Sequence, residues 1–196
     1  SDPGTQVHPE DRIELNGLPL RQPGLRYFML HKPVNVVCAN RDAHHVTALD
    51  LIGDANGKQL QIVGRLDKDT TGLVLLTDDG QWNHRLTSPR HEHPKVYEVQ
   101  TLRPIGDETI ASFAQGLQLA ADERPTRPAD LTLYDEYHAR LVLREGRYHQ
   151  VKRMFEATGN RVVKLHRSAI GSIELDRALA PGGYRPLTPE EVDSIR

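Results

Sequence analysis

Short strand-like segments recur from one end of the chain to the other, and that recurrence limits the fold more than any other feature of the sequence. Tyr27 to Leu30 reads as a buried strand stopped by Pro33. VNVVCA (34–39), QLQIVG (59–64), GLVLLTD (72–78), VYEVQTL (96–102), DLTLYD (130–135), ARLVLR (139–144), RVVKLHR (161–167) and IGSIEL (170–175) follow. Several alternate apolar and polar residues, as a sheet with one wet face requires. Helical patterns are fewer. In 106–117, Ile110, Phe113, Ala114 and Leu117 share a helical face and Gly116 is a stop. In 148–159, Val151, Met154 and Phe155 come together ahead of Gly159, and in 188–195, Thr188, Pro189 and Glu191 make a capping box. Runs of strands with occasional helices, rather than strict alternation, predict an α+β fold with a mixed, mainly antiparallel sheet and flanking helices.

Residues 1–25 differ from the rest. They are polar and rich in Pro and Gly, with one apolar patch, RIELNGLPL, that predicts a hairpin around Asn16-Gly17. The main domain is expected to span 26–196. A chain of 196 residues buries well over half of its unfolded surface and needs no staple to fold. Cys38 is its single cysteine, which excludes an internal disulfide and a cysteine-based zinc site. The longest aliphatic runs, such as LVLL at 73–76, are too short to span a bilayer, and no basic start leads into an apolar run. A soluble, cytoplasmic protein without a membrane partner is expected.

Lys and Arg number 25 against 27 Asp and Glu, so the whole chain lacks the charge of a nucleic-acid binder. Its distribution is uneven. Residues 140–167 hold eight basic side chains and two acids, a stripe suited to a phosphate backbone or, alternatively, a solvated face.

GRLDKDTTG (64–72) concentrates the chemistry. Asp67 follows a strand, where loops display reactive groups. The plainest reading of Asp67 and Asp69 is an Asx-turn or helix cap. A second reading is phosphoryl transfer, because DKDTT resembles the DxDxT loop of haloacid-dehalogenase phosphatases with its Mg²⁺. Gly64 and Arg65 interrupt the apolar strand which that family needs, and TDDG (77–80) comes too early for the later acid pair. The histidines of HEH (91–93) and the adjacent His44 and His45 lack the three or four convergent ligands of a zinc site.

The longer set of motifs points elsewhere. GRLDKDTTGLVLLTDDG, then SPRHEHPKVYEV, then EGRYHQVKRMFEATGNRVVKLHRSAIG, then GGYRPLTPEEV, strongly resembles the RNA pseudouridine synthases. The resemblance covers 26–196 and points to the branch that modifies ribosomal RNA with a small S4-like RNA-binding domain in front. HPEDRIELNGLPL resembles the last hairpin of that domain, so residues 1–25 are expected to be its remnant, with most of the domain absent. RYFMLHKP and GQWNHRLTSPRH resemble members acting on 16S rRNA, and 23S rRNA is the alternative substrate. A non-catalytic rRNA-binding assembly factor on the same scaffold is the alternative of another class.

The family's reaction breaks the N1–C1′ bond of a uridine, turns the base and rejoins it through C5. It needs no cofactor, metal or redox partner. The resemblance implies a central RNA-binding cleft with three catalytic residues: Asp67 as nucleophile, by attack on the sugar or through a glycal, Tyr97 stacked on the flipped uracil as a proton relay, and Lys152 as the basic partner of Asp67. Burial alone would neutralise Asp67, and a nearby cation counters that. Arg65, Thr71, Arg147, Gln150, Val151, Arg153 and Arg167 are the expected RNA- and substrate-binding residues. Asp69 is expected to shape the turn. The expected partner is 16S rRNA, free or in a partly assembled small subunit, met by a monomer.

Overall fold

Leu73, Val74, Leu75 and Leu76 are all fully buried, and their alternation divides the interior in two. Val74 and Leu76 join a core with Leu30, Val99, Phe113, Met154 and Phe155, while Leu73 and Leu75 join a second core with Met29, Val63, Trp82 and Ile173. Successive side chains of a strand point to opposite faces, so this run is continuous because both faces of its sheet are covered. Each such leucine contributes roughly 1.5–3 kcal/mol by leaving water.

The computed structural model describes residues 13–15, 18–20, 24–53, 60–88 and 91–195. The strands are β1 (Ile13–Leu15), β2 (Leu18–Leu20), β3 (Tyr27–Lys32), β4 (Gln61–Val63), β5 (Thr71–Thr77), β6 (Lys95–Thr101), β7 (Asp130–Leu133), β8 (His138–Leu143), β9 (Val162–Ile170), β10 (Ile173–Glu174) and β11 (Tyr184–Pro186). The helices are α1 (Ala48–Ile52), α2 (Gly80–Thr87), α3 (Asp107–Gln115), α4 (Gln150–Ala157) and α5 (Pro189–Asp193). β1 and β2 pair antiparallel as a separate ribbon, and the predicted turn residues Asn16-Gly17 lie outside the described residues. So does most of the predicted 1–25 remnant.

Nine strands form one open, mixed sheet among the described residues, in the order β11-β3-β5-β9-β6-β8-β7, with β4 also on β5 and β10 also on β9. All pairs are antiparallel except β5–β9, so the predicted α+β class and mainly antiparallel sheet are both present. The parallel contact brings Gly72 against Arg167. Gly72 has φ 110°, and a Cβ there would overlap the Arg167 backbone, so the last glycine of GRLDKDTTG is required by close approach of two strands.

Several expectations about single elements need correction. VNVVCA is not a strand. Asn35 adopts φ 66° in a turn, and Val37 makes one isolated bridge to Thr47. The cause is Lys32, fully buried, whose Nζ donates to the carbonyls of Pro33 (2.9 Å) and Val36 (2.7 Å) and folds that backbone around itself. Residues 162–170 form one strand, with the break at Gly171 rather than before Ile170. In α3, Phe113 is buried as expected but Ala114 is exposed. The α2 helix has no apolar period strong enough to announce it in the sequence. Its N-cap is Asp79 of TDDG, whose Oδ1 accepts from the N–H groups of Gln81 and Trp82. α5 carries the predicted capping box of Thr188 and Glu191.

Candidate active site

Two chain segments meet to make a cleft on the face of the sheet that carries Tyr97. One is the loop between β4 and β5. Gly64, at φ 72°, turns the chain out of β4, Leu66 is buried with its N–H on Cys38 Sγ (3.3 Å), and the Thr70 N–H closes a turn on the Asp67 carbonyl (3.1 Å). Lys32 Nζ (3.4 Å) and the Asn35 N–H (2.9 Å) both reach the Lys68 carbonyl, strapping this loop to the preceding turn. Desolvation holds the Lys32 ammonium below the ordinary lysine value, the effect of seating a cation among carbonyls rather than carboxylates.

The second segment is the start of α4. Val151, Met154 and Phe155 are buried along one side of the helix, and the Phe113 and Phe155 rings meet edge-on at 5.0 Å. That anchoring points Lys152 at the loop. Its Nζ lies 2.9 Å from Asp67 Oδ2 and 2.7 Å from Asp69 Oδ1. Burial works against the Lys152 ammonium, but hydrogen bonds to Asp69 and Asp67 outweigh it and raise the pKa. Asp69 is held below the usual carboxylate range, chiefly by the hydrogen bond from Lys152. Asp69 therefore does more than shape the turn: it shares the cation of Asp67.

Tyr97 is buried in β6, and with Arg65, Asp67, Val151 and Lys152 it lines the cleft. Among its other lining residues, two polar ones have no catalytic or binding role expected from the sequence. Thr70 is buried with no hydrogen-bond partner for its hydroxyl among the described residues. His149 brings Nε2 to 3.3 Å from Asp67 Oδ1. The signal for His149 was its place three residues before Lys152 at a helix start, but its backbone conformation is not written in the residue type.

Of the other expected RNA-binding residues, Arg147 and Gln150 also line the cleft, while Thr71, Arg153 and Arg167 do not. Arg167 is buried, with its guanidinium donating to the carbonyls of Leu73 (2.9 Å), Gly64 (2.8 Å) and Arg65 (3.4 Å), which leaves it no face for RNA. Thr71 turns away from the cleft and bonds His166 Nδ1 (2.9 Å) on β9. Gln150 is buried and holds Glu145 (2.7 Å) and the Arg147 N–H (2.9 Å). Arg147 donates to Asp122, Glu145 and the carbonyls of Arg124 and Pro125, and Arg153 donates to Asp122 and the Ala120 carbonyl. The stripe at 140–167 is thus not one basic face. Four of its eight cations, Arg147, Lys152, Arg153 and Arg167, are committed to partners within the protein, and Arg140, Arg144, Arg161 and Lys164 are exposed.

Residues 26–157 match the family model described as RNA pseudouridylate synthase. The chain is 53% identical over 188 residues to the ribosomal small subunit pseudouridine synthase A of Salmonella typhimurium (strain LT2), covering 95% of this chain and 81% of that protein. Identity to the protein of the same name from Escherichia coli (strain K12) is 52%, with the same coverage. A crystal structure of a pseudouridylate synthase superposes with a TM-score of 0.84 at 46% identity, covering 98% of this chain and 83% of that one. Fold, motifs and relatives agree: the chain belongs to the RNA pseudouridine synthase family.

Proposed function

We propose that this enzyme converts a specific uridine of 16S rRNA to pseudouridine, with Asp67 as the nucleophile on a flipped-out nucleotide. The observation that carries the reading is the Asp67 carboxylate in a cleft beside Tyr97, 2.9 Å from Lys152. The chemistry needs a carboxylate at C1′, a surface to hold the detached uracil while it turns, and a group to take the C5 proton. Asp67 serves the first need, by direct attack or by favouring a glycal. The Tyr97 ring and Val151 serve the second, and the Tyr97 hydroxyl the third. Lys152 supplies the cation beside the nucleophile. Arg65, exposed beside Asp67, stacks in the gap left by the flipped base or meets its phosphates. The small-subunit assignment rests on the names of the relatives. In this reading residues 1–25 are the end of an S4-like domain, and the enzyme acts as a cytoplasmic monomer on free or partly assembled rRNA.

Incubation with 16S RNA tritiated at uridine C5 is expected to release tritium, and Asp67→Asn to abolish the release. Full release by Asp67→Asn would overturn the assignment. Mapping of new pseudouridines across 16S and 23S RNA after reaction in vitro decides the substrate.

A further inference from the structure

His149 holds φ 49° and ψ 32°, a left-handed backbone that L side chains adopt at a cost and glycine adopts freely. It occupies the N-cap position of α4, yet its side chain makes no capping hydrogen bond, so helix capping does not account for it. Its ring lies against Tyr148 with centroids 3.8 Å apart and planes 17° from parallel. Thus steadied, its Nε2 lies 3.3 Å from Asp67 Oδ1, at ion-pair distance, while Lys152 Nζ donates to Oδ2 of the same carboxylate at 2.9 Å. A strained residue aimed at a reactive atom is a reason to look for function there.

We propose that His149 is a positioning residue for the nucleophile: from its ion-pair distance of 3.3 Å a small turn of the ring lets Nε2–H donate to Oδ1 of Asp67 and, with Lys152 on Oδ2, fix the plane of the carboxylate for its approach to C1′. The inference rests on the Asp67 reading above. A carboxylate held at one oxygen rotates about its side-chain bonds. One held at both keeps a lone pair trained on the sugar, which lowers the entropy lost in reaching the transition state. Loss of the second hold is therefore expected in kcat with KM little changed.

Three variants separate this role from a structural one, with tritium release measured at saturating and at limiting RNA. His149→Gly relieves the left-handed backbone, so it is expected to be at least as stable as wild type while its kcat falls roughly 10- to 100-fold. His149→Phe keeps an aromatic ring against Tyr148 but has no donor, and its kcat is expected to fall as far. His149→Gln carries an N–H of comparable reach and is expected to recover kcat to within about fivefold of wild type. A wild-type kcat in His149→Gly, equal activity of the Phe and Gln variants, or a rise in KM alone would each overturn the proposal. Asp67→Asn is run alongside. If it is inactive while His149→Gly keeps full kcat, only this inference fails; if it is active, the reading of the site fails with it.

Discussion

One stretch, EGRYHQVKRM (145–154), supplies cations to two clusters that meet carboxylates in opposite ways. In the first, Arg147 and Arg153 converge on Asp122 at 2.8 and 2.6 Å, with Glu145 at 3.1 Å from Arg147, and further guanidinium donors go to backbone carbonyls. In the second, Lys152 holds Asp67 and Asp69, and the carboxylate of Asp67 faces an open cleft. Arginine's rigid fork suits the closed cluster, which fastens the loop around Asp122 to α4. Lysine's compact charge suits the open one, where it reaches one oxygen of each of two carboxylates. The difference teaches that the charge density of this segment is partly framework and partly tool, and that each cation's partners decide which.

The largest effect expected from this contrast is on catalysis. Lys152→Met removes two hydrogen bonds to carboxylates, and kcat is expected to fall roughly a hundred- to a thousandfold, or about 3–4 kcal/mol of transition-state stabilisation. Stability should change little, because the Asp67 and Asp69 side chains are 26% and 72% exposed and water can take over their solvation. Single-turnover tritium release and a thermal melt check both halves. A variant that isomerises at the wild-type rate would remove the distinction between the clusters.

The Arg147→Met substitution is expected to do the reverse. It strands two carbonyls and leaves Asp122 and Glu145 short of a partner, at a cost to stability of about 2–3 kcal/mol, discounted for a side chain 24% exposed. Denaturant unfolding reads that loss, and kcat of the folded protein should stay within about threefold of wild type. A fall in RNA affinity at unchanged stability would mean that Arg147, which also lines the cleft, serves the binding surface rather than the framework.

These assignments mark where the sequence stops being legible. Strand recurrence and the 3.6-residue helical period give the fold class and predict that Val151, Met154 and Phe155 face inward. The same period says that Lys152 and Arg153 diverge by about 100°, but not which of them turns to the cleft. That choice depends on Asp122, which comes from a loop with no strand or helix pattern of its own. Arg167 misleads for a similar reason. A cation at the end of a basic run looks like a surface residue until the β5–β9 contact buries it among carbonyls. VNVVCA looks like a strand because its residues favour one, and a single buried lysine overrides that preference.

The smallest expected effect is in the acid dependence of stability. The hydrogen bonds from Arg147 and Arg153 hold Asp122 below the usual carboxylate range, as the hydrogen bond from Lys152 does for Asp69. A carboxyl with a depressed folded pKa binds its proton less readily folded than unfolded. Its stabilisation is then complete above the unfolded value, about 3.9 for Asp, and is lost as pH falls through the lower folded value. The stability gap between wild type and Asp122→Asn should therefore be constant from about pH 7 to 5 and shrink on acidification below about pH 4. Asp69→Asn should show the same sign with a narrower gap at every pH, because its partner cation is shared and its side chain is mostly in water. Denaturation midpoints for the three proteins across that range test the comparison directly. A gap for Asp69→Asn equal to that for Asp122→Asn would mean that the open cluster is as much a part of the framework as the closed one.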